Sequence, residues 1–141
     1  MENSIEIKGI SELSLAVEWL DAQILKSGAE LVAMYAPMGA GKTTLVGEYC
    51  RMKGIEEGIS SPTFSIVNKY SGASGVIYHF DCYRFESERE AHDIGIYEYL
   101  DSGSLCFVEW PERIEGILAK CDVLNVRIEI ISDEARRFSI I

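Results

Sequence analysis

The sequence lacks most of the features that settle a protein's class at a glance. No apolar run approaches the roughly 20 residues a membrane-spanning helix needs. The opening residues, MENSIEIKGI, carry neither a basic start nor a long apolar stretch, so no secretory signal is expected and the expected location is cytoplasmic. Cys50, Cys82, Cys106 and Cys121 lie far apart with no C-x-x-C pair. That argues against a zinc ribbon or a dithiol redox motif and leaves buried free thiols as the expectation. Basic residues are scarce: 13 Lys and Arg stand against 23 Asp and Glu, a formal net charge of −10. A stand-alone nucleic-acid binder usually shows a basic footprint, so that class is disfavoured, and any anionic ligand must be held by local amides, a lysine or a metal. No repeat, low-complexity tract or linker interrupts the chain. With 48% hydrophobic and 26% charged residues over 141 positions, one α/β domain covering 1–141 is expected.

Periodicity gives the elements. Residues 5–8 read as a short strand. A helix over 11–26 follows, with Leu13, Ala16, Val17, Leu20 and Ile24 on one face, Ser11 as N-cap and Gly28 as stop. LVAMY, 31–35, is apolar without alternation, as in a strand covered on both faces. A loop over 36–41 leads into a helix from Lys42 to Lys53. Strands over 63–70 and 76–83, joined by SGASG, read as a hairpin. Ser87 and Glu90 fit a capping box opening a polar helix that breaks at Gly95. SLCFVE, 104–109, is a second buried-type strand ending on a carboxylate, and Pro111 suits the first turn of a short helix carrying Ile114, Ile117 and Leu118 inward. Residues 123–131 alternate, and 135–141 form a last strand. The pattern predicts a P-loop-type α/β fold, a mixed sheet with parallel central strands, antiparallel additions and flanking helices.

The stretch APMGAGKTT, 36–44, matches the phosphate-loop pattern G-x-x-x-x-G-K-[ST] except that Ala36 stands at the first glycine. The chemistry of such a loop comes from main-chain amides at a helix start, aided by the helix dipole, and glycine is required only where φ is positive or a side chain would strike phosphate. Ala36 sits where the strand leaves the sheet and fits there if its φ is negative. Gly39, Ala40, Gly41, Lys42, Thr43 and Thr44 are therefore expected to hold a nucleotide: amides 39–44 on the phosphates, Lys42 on the β- and γ-phosphates, the Thr43 hydroxyl on Mg²⁺ and Thr44 near the α-phosphate.

Mg²⁺ at such a loop takes a carboxylate from the end of a neighbouring apolar strand. Two strands qualify: VIYHFD ends at Asp81 and LCFVE at Glu109. Spacing does not choose between them. His79 shares a strand face with Asp81 and is positioned to orient it, or is a satisfied structural histidine. Trp110, next to Glu109, reads as a core or capping residue close to the bound nucleotide. Arg136 and Arg137 read as a solvated strand end.

APMGAGKTT, SPTFSIVNKY, YHFDCYR and FVEWPER, in that order and spacing, resemble the TsaE (YjeE) family, the bacterial ATPase of the tRNA threonylcarbamoyladenosine pathway. The resemblance runs from about residue 10 to 130. It implies ATP and Mg²⁺ as cofactors, a switch-like segment that brings Thr63 near the nucleotide, Glu109 in the Mg²⁺ site with Trp110 beside it, and Asp81 in a catalytic or supporting role. It also implies that Lys42, Asp81 and Thr63 carry the hydrolysis, that the working partner is a TsaB–TsaD complex, and that tRNA is met through that complex. No arginine finger is evident; Arg84 is a weak candidate, and activity is expected to be low without partners. Ala36 departs from the family's usual glycine.

Three rival readings compete with the ATPase. A GTPase needs N-K-x-D, and NKYS at 68–71 lacks the aspartate. A small-molecule kinase needs an acceptor pocket and usually an arginine-bearing lid, and the helices of 87–100 are short and acidic. A nucleotide-gated binding module in which hydrolysis is incidental is hardly separated from the ATPase by sequence.

Overall fold

The computed structural model describes residues 3–55 and 66–141. In chain order its elements are β1 (Ser4–Ile7), α1 (Leu13–Ser27), β2 (Leu31–Tyr35), α2 (Lys42–Met52), β3 (Val67–Gly72), β4 (Gly75–Asp81), α3 (Glu88–Asp93), α4 (Ile96–Leu100), β5 (Leu105–Glu109), α5 (Glu115–Leu118), β6 (Val123–Ile130) and β7 (Arg136–Ile140). Short 3-10 turns precede α1 and α5.

The strands form one sheet in the order β1-β7-β6-β2-β5-β4-β3. The four central strands, β6, β2, β5 and β4, run parallel. β7 and β1 add on antiparallel at one side and β3 at the other. This is the mixed α/β sheet the sequence predicts.

Apolar LVAMY lies at the centre because it faces a helix layer on each side. Val32 and Met34 join the core beneath α1 and α2, with Leu20, Val46, Phe107 and Val126. Leu31 and Ala33 point the other way, to a core with Phe80, Phe85, Val108 and Ile117. In β6 the alternation places Leu124, Val126 and Ile128 inward, while Ile130, expected on the same side, is 45% exposed at the strand's end.

Local departures have local causes. Ser11 is not the cap of α1: it lies in the preceding 3-10 turn, and Glu12 takes the cap position without a side-chain bond. The hairpin is tighter than SGASG suggested, since Ser71–Gly72 and Gly75–Val76 continue the ladder and only residues 73–74 turn. The start of the predicted strand, 63–65, lies outside the described residues. The capping box forms, with Ser87 N donating to Glu90 Oε2 at 3.2 Å. No helix among the described residues is long and apolar enough to cross a membrane.

Candidate functional site

Parallel strands deliver their C-terminal ends to one rim, and there the loop between β2 and α2 meets the ends of β4 and β5. The loop takes the shape its glycines permit. Gly39 and Gly41 have φ of 82° and 102°, in the left-handed region that β-carbons disfavour. Ala36 does not: the only described non-glycine residue with positive φ is Trp110. The condition under which alanine replaces the first glycine is therefore met. Helix α2 starts directly after Gly41, with Leu45 N donating to Gly41 O at 2.9 Å, so its unpaired N-terminal amides face the rim.

A cavity of about 400 Å³ opens in front of the loop, lined by Gly39, Gly41, Lys42, Thr43, Thr44, Asp81, Glu109 and Trp110, with Met38 and Tyr83 at its mouth. Eight of the sequence-nominated residues thus share one space. Ala40 faces elsewhere: its side chain is buried in the core, its N–H donates to Pro37 O at 3.2 Å, and its carbonyl accepts from Arg136 Nε at 3.1 Å. Thr63 lies outside the described residues. Arg84 is exposed and is not among the residues lining the cavity.

Glu109 and Asp81 are register partners at the ends of β5 and β4, so the two carboxylates stand side by side. Their surroundings differ. Glu109 is 5% exposed, and its Oε2 accepts from the Thr43 hydroxyl at 3.2 Å and is in hydrogen-bond contact with His79 Nε2. Asp81 is only partly buried, and its Oδ1 accepts from Tyr83 N at 3.1 Å. The carboxylate that touches the loop threonine is Glu109.

His79 does not orient Asp81. It reaches diagonally across to Glu109 on the adjacent strand, and its Nδ1 lies 3.3 Å from the Tyr70 hydroxyl on β3. A neutral imidazole with its proton on Nε2 satisfies both contacts, donating to the carboxylate and accepting from the phenol. His79 is 1% exposed, so these partners complete its polar contacts out of water's reach. Cys82, buried next to Asp81 in the chain, is a protonated thiol: burial, with Asp81 and Glu109 adding to it, pushes it up to about 12.

Lys42 is 7% exposed, and its Nζ stands 4.4 Å from the centre of the Trp110 ring, a cation–π contact. Trp110 adopts φ 58° and ψ 51° as the chain turns from β5 into the 3-10 turn at Pro111. That turn, which costs about 1–2 kcal/mol for a residue with a β-carbon, sets the indole at the edge of the second core with the lysine against its ring. Tyr83 packs against the same indole, ring centres 4.9 Å apart.

The donor set is made of hard oxygens: one hydroxyl and two carboxylates. These are too few to cage a cation alone. They suit Mg²⁺, which takes one or two carboxylates and completes its shell with phosphate oxygens and water.

The family model for TsaE, threonylcarbamoyl adenosine biosynthesis protein, matches residues 9–138. The chain belongs to the TsaE family. A TsaE of Haemophilus influenzae is 38% identical over 113 residues, covering 80% of this chain and 70% of the relative. A TsaE of Bacillus subtilis is 34% identical over 128 residues, covering 91% and 78%. Both carry the name tRNA threonylcarbamoyladenosine biosynthesis protein TsaE. The crystal structure of Bacillus subtilis YdiB superposes with a TM-score of 0.68 at 23% identity, covering 97% of this chain and 82% of that one, and shares the fold.

In this TsaE-family chain, sequence reasoning missed three contributors. Tyr83 had a usable signal, two residues beyond Asp81 on the same predicted strand face. Tyr70 and Arg136 had none, because their roles depend on which strands become neighbours.

Proposed function

We propose that this chain binds ATP with Mg²⁺ at the Ala36–Thr44 loop, hydrolyses it slowly when alone, and works with a TsaB–TsaD complex in making threonylcarbamoyladenosine at position 37 of tRNA. The observation that carries the reading is the contact between Thr43 and Glu109 at the floor of a cavity roofed by a glycine loop and a buried lysine. The family membership supplies the pathway. Mg²⁺, when bound, supplies a charge that neutralises phosphate oxygens and fixes their geometry.

The chain's own residues have separable tasks in this reading. Amides at the start of α2 and the Lys42 ammonium hold the β- and γ-phosphates, with Lys42 exchanging its indole partner for phosphate oxygen. Thr43 and Glu109 hold the metal, and His79 keeps the Glu109 carboxylate in place. Asp81, less buried and nearer the mouth, orients the attacking water or accepts its proton. Phosphoryl transfer to water depends mainly on positioning and on stabilising charge. No arginine lines the phosphate cavity among the described residues, which fits slow turnover until a partner completes the site.

The test is ATP turnover by the chain alone and with purified TsaB–TsaD, with Lys42→Ala as control. Stimulation by the pair, abolished in the control, is the expected result. Turnover indifferent to the pair removes the partner assignment, and turnover that survives Lys42→Ala removes the loop. Glu109→Ala or Asp81→Ala proteins that bind ATP without hydrolysing it test whether hydrolysis is needed: continued tRNA modification over many cycles would make this a nucleotide-gated module.

A further inference from the structure

One chain of hydrogen bonds runs through all four sequence stretches on which the family resemblance rests. Thr43 comes from APMGAGKTT, Asn68 and Tyr70 from SPTFSIVNKY, His79 from YHFDCYR and Glu109 from FVEWPER. Asn68 Nδ2 donates to the Tyr70 hydroxyl at 3.4 Å. That hydroxyl lies 3.3 Å from His79 Nδ1, and His79 Nε2 is in hydrogen-bond contact with Glu109 Oε2. The Thr43 hydroxyl donates to the same oxygen at 3.2 Å. Sheet register makes the chain possible. Asn68 and His79 are partners across β3 and β4, and Tyr70, two residues further along β3, shares the face of Asn68. The nucleotide reading employs Thr43, Glu109 and His79. It gives Asn68 and Tyr70, on the edge strand of the sheet, no task.

Each link fixes the direction of the next. Asn68 brings an N–H to the phenol oxygen, so the phenol's own proton is the one offered to His79. Nδ1 then accepts, and the imidazole proton sits on Nε2, aimed at Glu109. Every donor in the chain points toward Glu109, and bonds aligned in this way strengthen one another. Tyr70 and His79 are each 1% exposed and Glu109 5%, so water is a poor competitor for these contacts. Both described donors to Glu109 take Oε2, which leaves Oε1 for a cation in the phosphate cavity that Glu109 lines.

We propose that Tyr70 is a positioning residue for the metal: through His79 it fixes the tautomer and ring orientation that hold Glu109 as a ligand to Mg²⁺. The proposal rests on the Mg²⁺–ATP reading above and extends it from the cavity wall to the edge strand, two hydrogen bonds behind the carboxylate. Without the phenol proton Nδ1 loses its donor, and either ring nitrogen can carry the imidazole proton. In the other tautomer an Nε2 lone pair faces the carboxylate and repels it. Partners behind a metal ligand typically matter by about 10–100-fold in metal affinity or activity.

Tyr70→Phe removes the hydroxyl and keeps the ring, and two readouts separate positioning from packing. The first needs neither metal nor nucleotide. Two-bond ¹⁵N–¹H correlation spectra of the unaltered chain at pH 8 should show His79 as the Nε2–H tautomer, and Tyr70→Phe should mix the two tautomers. His92, the other histidine of the chain, is exposed and serves as the internal reference. The second is the Mg²⁺ concentration for half-maximal ATP turnover. It should rise roughly tenfold in Tyr70→Phe, while ATP affinity measured without Mg²⁺ stays the same. Asn68→Asp should move both readouts the same way, because a carboxylate there draws the phenol proton away from Nδ1. A His79 proton on Nδ1, or on both nitrogens, in the unaltered chain overturns the proposal, and so does an unmoved Mg²⁺ requirement in Tyr70→Phe. If the unaltered chain turns over ATP without Mg²⁺, the metal reading falls and the positioning role with it; an intact Nε2–H tautomer identifies that failure as the metal's and not the hydrogen-bond chain's.

Discussion

At the scale of single residues, Ala36 and Gly41 show why one glycine of a phosphate loop is replaceable and another is not. Ala36 has no positive φ, whereas Gly41 has φ 102°. A β-carbon added at Gly41 meets no atom within 4 Å, so its penalty is torsional and not a clash. Ala36→Gly should leave nucleotide affinity unchanged and lower stability by about 0.5–1 kcal/mol through the freer unfolded chain. Gly41→Ala should cost about 1–2 kcal/mol and weaken binding, because relieving the torsion turns amides away from the groove. A matched pair of urea titrations and calorimetric ATP titrations checks both; tighter ATP binding in Ala36→Gly would show that alanine distorts the loop after all.

His79 supports a second residue-scale prediction. Its imidazole is the buried neighbour of a buried carboxylate, and removing it leaves that carboxylate oxygen short of a donor where water does not reach. His79→Ala should lose about 2–4 kcal/mol of stability, read from the urea midpoint. His79→Gln, whose amide still donates toward Glu109, should recover part of it. A change within about 0.5 kcal/mol for His79→Ala, the range of an ordinary surface substitution, would mean that Thr43 alone secures Glu109.

Among elements, the hairpin β3–β4 presses on the end of α2 through Gly72. A β-carbon there would lie 2.7 Å from Gly54 O and 2.9 Å from Ile55 Cγ1, with main chain on one side and a buried side chain on the other. Neither can yield cheaply, so Gly72→Ala should destabilise by about 1–3 kcal/mol. Hydrogen exchange should show the loss shared by β3 and the C-terminal turn of α2; a loss confined to the hairpin would disprove the coupling. Elements are also where sequence reading was strongest. LVAMY, SLCFVE and the alternating 123–131 segment declare themselves because burial on one face or two writes itself into hydropathy. The turn length at 73–74 was not legible, since Ser71 and Gly75 are as good in a ladder's end as in a turn. Of the two readings of His79, the satisfied structural histidine matches its buried contacts, and the one that orients Asp81 has the right strand face and the wrong partner. Face follows from a period of two, but a partner across the sheet requires knowing that β5 lies next to β4, which no local pattern states. Arg136 reads as a solvated end in the sequence for the same reason: its acceptor, Ala40, is 96 residues away. The phosphate loop was legible because its chemistry is confined to contiguous residues.

For the molecule as a whole, the two cores sequester thiols, and that makes stability fall at alkaline pH. Burial raises Cys50 from 9.0 to about 11, with Arg51 opposing slightly. It raises Cys106 from 9.0 to about 12, with Glu30 adding, and Cys82 likewise to about 12. A thiol whose folded pKa lies above its unfolded one is protonated in both states below pH 9 and contributes no pH dependence there. Above pH 9 the unfolded chain sheds protons that the folded chain retains, so ionisation pulls the equilibrium toward unfolding until the folded pKa is passed. Each thiol can contribute at most about 1.4 kcal/mol per pH unit in that window. Urea midpoints measured under reducing conditions should therefore be level from pH 7 to 8.5 and drop from 9 to 11. Lysine neutralisation in a chain already at −10 pushes the same way, so the thiol share must be isolated. Cys50→Ala does this at a helical position that tolerates alanine: its alkaline slope should be shallower than that of the unaltered chain, while its midpoint at pH 8 changes by less. Equal slopes would show that Cys50 contributes nothing to the alkaline loss. Native-state thiol labelling at pH 8 gives an independent reading, with half-buried Cys121 reacting first and the three buried thiols only as fast as the protein opens.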